Sequence, residues 1–213
     1  PNGAGKTSTV EALEGFRRPS EGEVRVLGLD PVADHDALMP QIGVMLQDGG
    51  VYPGIRPLEA LELHAAYYAE PADPAELLER VGLSHLRRST WRQLSGGEKQ
   101  RLSLALALVG KPKVAFLDEP AAGVDVQGRQ LIRNLVRSLA QDGVCVLLTT
   151  HDIDEAEKVA DRVVILDTGR LIISGTPAEL MSAGGSREIR FGAPPELDVA
   201  ALGKELMAAV EEV

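Results

Sequence analysis

Val114-Ala115-Phe116-Leu117-Asp118-Glu119-Pro120 is the stretch on which the fold turns. Its apolar run reads as a strand buried on both faces, as in a parallel sheet with helices on either side. The run ends in two carboxylates, and the C-terminal end of a strand is where open α/β sheets bind their ligands. An acidic turn after a core strand would use the same residues, so their neighbours have to decide.

Downstream, Gln127–Ala140 has helical spacing and Val144–Thr149 is a second buried strand. Asp152 can cap a helix over Ile153–Val159, with Glu155 three positions on. Val163–Leu166 and Leu171–Ile173 flank the turn Asp167–Arg170 and read as a hairpin. Upstream, Gly96–Val109 reads as a long helix stopped by Lys111-Pro112, and Ala75–Val81 as a shorter one. Leu58, Leu61, Ala65 and Tyr68 share a helical face after Pro57. Glu23–Leu27 and Ile42–Leu46 read as short strands. Strands alternating with helices predict an α/β fold with a mostly parallel sheet flanked by helices. A helical lobe is inserted over about residues 57–110, and its part Pro57–Trp91 has little strand character. Ala183–Ser186 reads as a link, so residues 1–182 form the main domain and 183–213 the start of a C-terminal extension.

The bulk numbers fit one sizeable soluble α/β domain. The chain has 213 residues, 44% of them hydrophobic and 25% charged. A net charge of -10 argues against a broad basic face for nucleic acid. No run approaches the 18 or so apolar residues needed to span a bilayer, and no signal peptide is visible. The one cysteine, Cys145, lies in the apolar run Val144–Leu148 and is expected to be a buried structural thiol in a reducing compartment.

The chain opens Pro1-Asn2-Gly3-Ala4-Gly5-Lys6-Thr7-Ser8. This matches the phosphate-loop pattern G-x-x-x-x-G-K-[ST], with the first glycine expected before residue 1. Gly3 and Gly5 let the backbone turn so that its N–H groups face phosphate oxygens. Lys6 supplies a cation to the β- and γ-phosphates, Thr7 offers a hydroxyl to Mg²⁺, and the following helix presents its positive end. A glycine-rich surface turn with a chance lysine is the plainer reading of this segment alone.

Leu94-Ser95-Gly96-Gly97-Glu98-Lys99-Gln100-Arg101 stands at the start of a predicted helix. A serine and two glycines there make a second anion site, although an ordinary serine N-cap accounts for them equally. With this segment the sequence resembles the ATP-binding-cassette (ABC) family, most closely the ATP-binding proteins of bacterial ABC-2-type exporters. The resemblance runs from Pro1 to about Leu180, with Glu98 replacing the usual last residue of the LSGGQ signature.

The resemblance implies a P-loop NTPase core, and family strands ahead of the phosphate loop that this sequence does not include. It implies that Asn2, Gly3, Ala4, Gly5, Lys6, Thr7 and Ser8 hold ATP. Ser95, Gly96, Gly97 and Glu98 would face the nucleotide of a second subunit. Asp118, Thr7 and Gln47 would surround Mg²⁺, Glu119 would activate water, and His151 would hold the γ-phosphate and the water in place. Ala122-Gly123-Val124-Asp125 resembles the loop that links the two sites, and a helix cap at Asp125 is compatible with that. Gln47, just before the glycine- and proline-rich connector Asp48–Arg56, would couple the site to the helical lobe.

The function implied is ATP hydrolysis by the nucleotide-binding subunit of a transporter. Its partners would be a second such domain, identical or related, and a separate integral membrane permease. It would lie on the cytoplasmic face of the membrane, with no nucleic acid bound. The segment Val51-Tyr52-Pro53 followed by Pro57-Leu58-Glu59 carries the likeness to exporters. The alternative, a soluble ABC ATPase of translation or DNA repair, usually brings tandem cassettes or a long coiled coil. This chain has neither.

Overall fold

The computed structural model describes residues 4–45 and 51–184. The chain divides into two compact units, Pro1–Leu180 and Met181–Val213. Of the second unit only residues 181–184 are described.

Helix α1 (Lys6–Leu13) opens the described fold, followed by the single turn α2 (His35–Leu38) and strand β1 (Ile42–Met45). Helices α3 (Pro57–Ala65), α4 (Pro74–Arg80) and α5 (Gly96–Leu108) come next. Strand β2 (Val114–Asp118), helix α6 (Val126–Gln141), strand β3 (Cys145–Thr149) and helix α7 (Ile153–Val159) complete the central layer. An antiparallel hairpin of β4 (Val163–Asp167) and β5 (Arg170–Gly175) follows, and then α8 (Pro177–Gly184).

The three strands β1-β2-β3 form a parallel sheet, with β2 in the centre. Its side chains alternate between two cores, as the period of a strand requires. Met45, Ala115 and Leu117 belong to the larger cluster with Leu61, Leu78, Leu102, Ala105, Ile132 and Leu135. Ile42, Val114 and Phe116 belong to the smaller one with Val10 and Leu38. The continuous apolar run of β2 follows directly, since both of its faces are covered. On the first face, Gly43 of β1 lets α5 come close: a Cβ there would collide with the Ala107 carbonyl oxygen.

The helical block between β1 and β2 is locally encoded. Pro57 opens α3, and Glu59 reaches back to accept from the Arg56 N–H at 3.1 Å. Asp73 caps α4 by accepting from the Glu76 N–H at 2.8 Å. Arg101 of α5 donates to the Val81 carbonyl at 2.9 Å and ties the end of α4 to α5. Leu61 and Ala65 are buried and Leu58 and Tyr68 pack against the same cluster, so the predicted apolar face is present.

Two expectations, one for a strand and one for burial, fail. Glu23–Leu27 is not a strand: among the described residues Val26 pairs only with Leu29, across a turn in which Leu27 and Gly28 both have positive φ (54° and 81°). A short β-branched run needs a neighbouring strand to pair with, and here the chain turns back at once. Cys145 is exposed rather than buried. It begins β3, which among the described residues pairs only with β2 and has half-buried positions where β2 is buried.

Candidate functional site

The site is built where β2 and β3 end. Their register places Asp118 opposite Thr149, so both strands deliver polar groups at one level. The Thr149 hydroxyl donates to the Asp118 carboxylate. The next residue, Glu119, leaves the strand with φ 49°, a left-handed conformation that is uncommon for a residue with a side chain. Its N–H donates to the Thr149 carbonyl and hydroxyl oxygens, both at 3.2 Å. Its own carbonyl accepts from the Ala122 N–H at 3.0 Å and from Gln100 Nε2 at 2.8 Å. Pro120, buried behind it, ends the strand and starts the turn.

The Glu119 carboxylate meets His151. Nδ1 of the imidazole lies 2.9 Å from Oε1 and 2.8 Å from Oε2. An ionised carboxylate only accepts, so Nδ1 carries the hydrogen and donates. The glutamate side chain is 12% exposed and the histidine 65%, which leaves the far edge of the ring open to solvent. His151 holds its position because Asp152 immediately caps α7, accepting from the Glu155 N–H at 3.2 Å. A cleft of about 230 Å³ opens beside this pair, walled by Gly123, Arg129, Arg133, Thr150, His151 and Glu155.

The phosphate-loop segment leads into α1. Gly5 has φ 98° and its carbonyl accepts from both the N–H and the hydroxyl of Thr9, at 3.0 and 2.9 Å. Only glycine takes this conformation without strain. Helix α1 begins at Lys6, directly after Gly5, with Thr7 and Ser8 exposed in its positive first turn. Ala4 is buried, and its carbonyl accepts from the Gly169 N–H of the β4–β5 turn at 3.0 Å. Val10 packs in the same core as Val114 and Phe116, which seats α1 on the sheet that carries Asp118.

At the C-terminal end of α1 stands Glu14, 2% exposed. Burial, with the nearby charges of Asp118 and Glu11, pushes its carboxyl up to about 7. No motif marks this residue in the sequence.

The Ser-Gly-Gly segment forms a complete capping box. Ser95 Oγ accepts from the Glu98 N–H at 3.3 Å, and the Glu98 carboxylate accepts from the Ser95 N–H at 2.7 Å. That bond from the Ser95 backbone is the main reason the Glu98 carboxyl is held below its usual range. Ser95 and Gly96 remain at the amino end of α5, where Gly96 is exposed. Gly97 abuts the Ala122–Asp125 loop, where a Cβ would lie 3.5 Å from Val124 Cα. Asp125 caps α6, accepting from the Gly128 N–H at 2.8 Å.

The structure thus brings Asp118, Glu119 and His151 together, and adds Thr149 and Gln100, which sequence reasoning passed over. The strand register could have singled out Thr149, two residues before the histidine. Asn2, Gly3 and Gln47 lie outside the described residues.

A phosphate-loop sequence leading into a helix on one side of a parallel sheet, an Asp-Glu strand end and a Ser-Gly-Gly helix start are the marks of an ATP-binding cassette. This chain belongs to the ABC transporter family, whose model matches residues 1–122. It is 42% identical over 193 residues to the daunorubicin resistance ATP-binding protein DrrA3 of Streptomyces coeruleorubidus, covering 88% of this chain and 61% of that protein. It is 38% identical over 188 residues to the Nod factor export ATP-binding protein I of Ralstonia nicotianae, covering 85% and 58%. The chain spans about three fifths of the length of these relatives. Among solved structures it resembles a dimeric ATP-binding cassette in a post-hydrolysis state bound to ADP and Pi. There the TM-score is 0.75 at 27% identity, over 83% of this chain and 82% of that one.

Proposed function

We propose that this chain is the nucleotide-binding part of an ABC exporter and that it hydrolyses ATP to ADP and phosphate. The carrying observation is the bonded pair Glu119–His151 beside Asp118, at the open end of the sheet. The relatives named for drug resistance and for Nod factor export support the direction of transport.

Lys6 and the amino end of α1 bind the β- and γ-phosphates. Glu119 accepts a proton from the attacking water as the water oxygen bonds to the γ-phosphorus. The bond from that phosphorus to the bridging oxygen breaks, and its electron pair stays on ADP. His151 fixes the Glu119 carboxylate and leaves the other ring nitrogen toward the γ-phosphate. Positioning and charge stabilisation, rather than covalent chemistry, do most of the work in such transfers.

The donors present suit a hard divalent cation: the half-buried Asp118 carboxylate and the exposed Thr7 hydroxyl are both oxygen ligands. Mg²⁺ would be held by these two with Gln47, and when bound it neutralises charge on the phosphates.

Two copies, or this chain and a related one, sandwich ATP, with Ser95, Gly96 and Gly97 of one copy closing on the nucleotide of the other. The dimeric cassette that the chain resembles supports this arrangement. The helical lobe over about residues 57–110 passes the resulting motion to a separate integral membrane subunit, on the cytoplasmic face. No helix among the described residues is long and apolar enough to cross a membrane.

The test is the oligomeric state of the full-length protein carrying Glu119→Gln. With ATP it should become a stable dimer on size exclusion with light scattering. A variant that stays monomeric at saturating ATP would sink the sandwich.

A further inference from the structure

Helix α5 carries a contact that neither the signature nor the nucleotide explains. Gln100 sits one turn beyond the Ser-Gly-Gly segment, partly buried, and its Nε2 donates to the Glu119 carbonyl oxygen at 2.8 Å. The orientation of the amide is unambiguous, because a carbonyl can only accept. This bond joins two residues 19 positions apart in the sequence. It acts on Glu119, whose backbone is left-handed while carrying a side chain, with φ 49°.

A residue in a sparsely populated conformation persists only where its surroundings over-determine it. The Glu119 N–H is held by Thr149 and its carboxylate by His151, both from the β3 end. Its carbonyl is held by the Ala122 N–H within its own turn and by Gln100. Gln100 is therefore the restraint that comes from the signature helix. That helix also abuts the Ala122–Asp125 loop through Gly97.

We propose that Gln100 is a positioning residue for the water-activating glutamate, clamping the Glu119 carbonyl so that the signature helix and the hydrolytic carboxylate of one chain move as a unit. The proposal rests on the chain being an ATPase with Glu119 as its base. In a sandwich dimer its consequence is directional. Ser95–Gly97 would engage the nucleotide bound by the partner, while Gln100, on the same helix, sets the geometry of Glu119 in the chain's own site. Occupancy of one site thereby adjusts hydrolysis in the other.

The experiment measures MgATP turnover of full-length protein with Gln100→Met, which keeps the shape and removes the donor. Gln100→Glu, which is near-isosteric and cannot donate when ionised, serves as the second variant, with a melting curve for each. The expected result is a kcat about tenfold lower, the scale of one lost hydrogen bond to a preorganised group, with KM for ATP within about twofold. In a Glu119→Gln background, Gln100→Met should cause no further loss in single-turnover rate, because both act through one carboxylate. Wild-type turnover with an unchanged kcat in both variants would overturn the positioning role alone. So would losses that multiply with Glu119→Gln, or that track a fall in melting temperature. A wild-type protein without ATP turnover overturns both this role and the function on which it rests.

Discussion

Arg133 of α6 donates through Nη1 to both carboxylate oxygens of Glu155 on α7, at 2.8 and 3.0 Å, and the two side chains are only 15% and 14% exposed. Helix α6 begins at the Asp125 cap and α7 begins just after His151, so this pair binds the loop at Ala122–Asp125 to the segment that holds the histidine. It also explains a detail of α7. Asp152 caps the helix as the sequence suggests, but Glu155 does not complete a capping box, because its carboxylate is turned to Arg133.

Removing one partner of such a pair strands the other in a place with little water. Arg133→Met leaves Glu155, among the described residues, the Lys158 ammonium at 3.5 Å. Urea unfolding should show a loss of about 2 kcal/mol, and Arg133→Met with Glu155→Leu should recover more than half of it. A single variant as stable as the parent would show that the pair contributes nothing.

Glu14 gives a pH dependence with a definite sign. Its carboxyl is raised from 4.5 to about 7 in the folded chain. Below pH 4.5 it is protonated in both states and costs nothing. Between pH 4.5 and 7 the unfolded chain ionises while the folded one keeps its proton, so stability falls as pH rises and levels off above 7. In nucleotide-free protein, Glu14→Gln should match the parent near pH ~4. By pH ~8 it should exceed it by on the order of 3 kcal/mol. A gap that does not vary with pH would contradict the burial argument.

The Thr149 hydroxyl joins both acidic residues, donating to the Asp118 carboxylate and accepting from the Glu119 backbone N–H. Thr149→Val keeps the shape and removes both bonds, at about 1 kcal/mol each. If these bonds shape the reacting geometry, kcat for ATP should fall roughly 30-fold with little change in KM. Equal turnover in the valine variant would remove Thr149 from the site.

What could be read from the sequence was what is encoded locally. The apolar run Val114–Leu117, the Ser95 cap, the Asp152 cap and the hairpin turn before Arg170 all depend on residues within a few positions of each other. The failures depend on distant partners. Glu23–Leu27 has the composition of a strand, but among the described residues the only bridge there is Val26–Leu29. Cys145 lies in an apolar run, yet the run forms β3, which among the described residues pairs on one side only. The same distinction holds in the site. Asp118, Glu119 and His151 stood in recognisable motifs, whereas the roles of Gln100, Thr149 and Glu14 arise only when α5, β3 and α1 are packed against β2.

The most direct measurement is phosphate release from MgATP by the full-length protein, comparing the parent with Lys6→Ala and Glu119→Gln. The parent should turn over ATP. Lys6→Ala should lose nucleotide binding or turnover, and Glu119→Gln should bind ATP but release phosphate at least about a hundredfold more slowly. Undiminished phosphate release in either variant would contradict a reaction centred on the end of β2 and the start of α1.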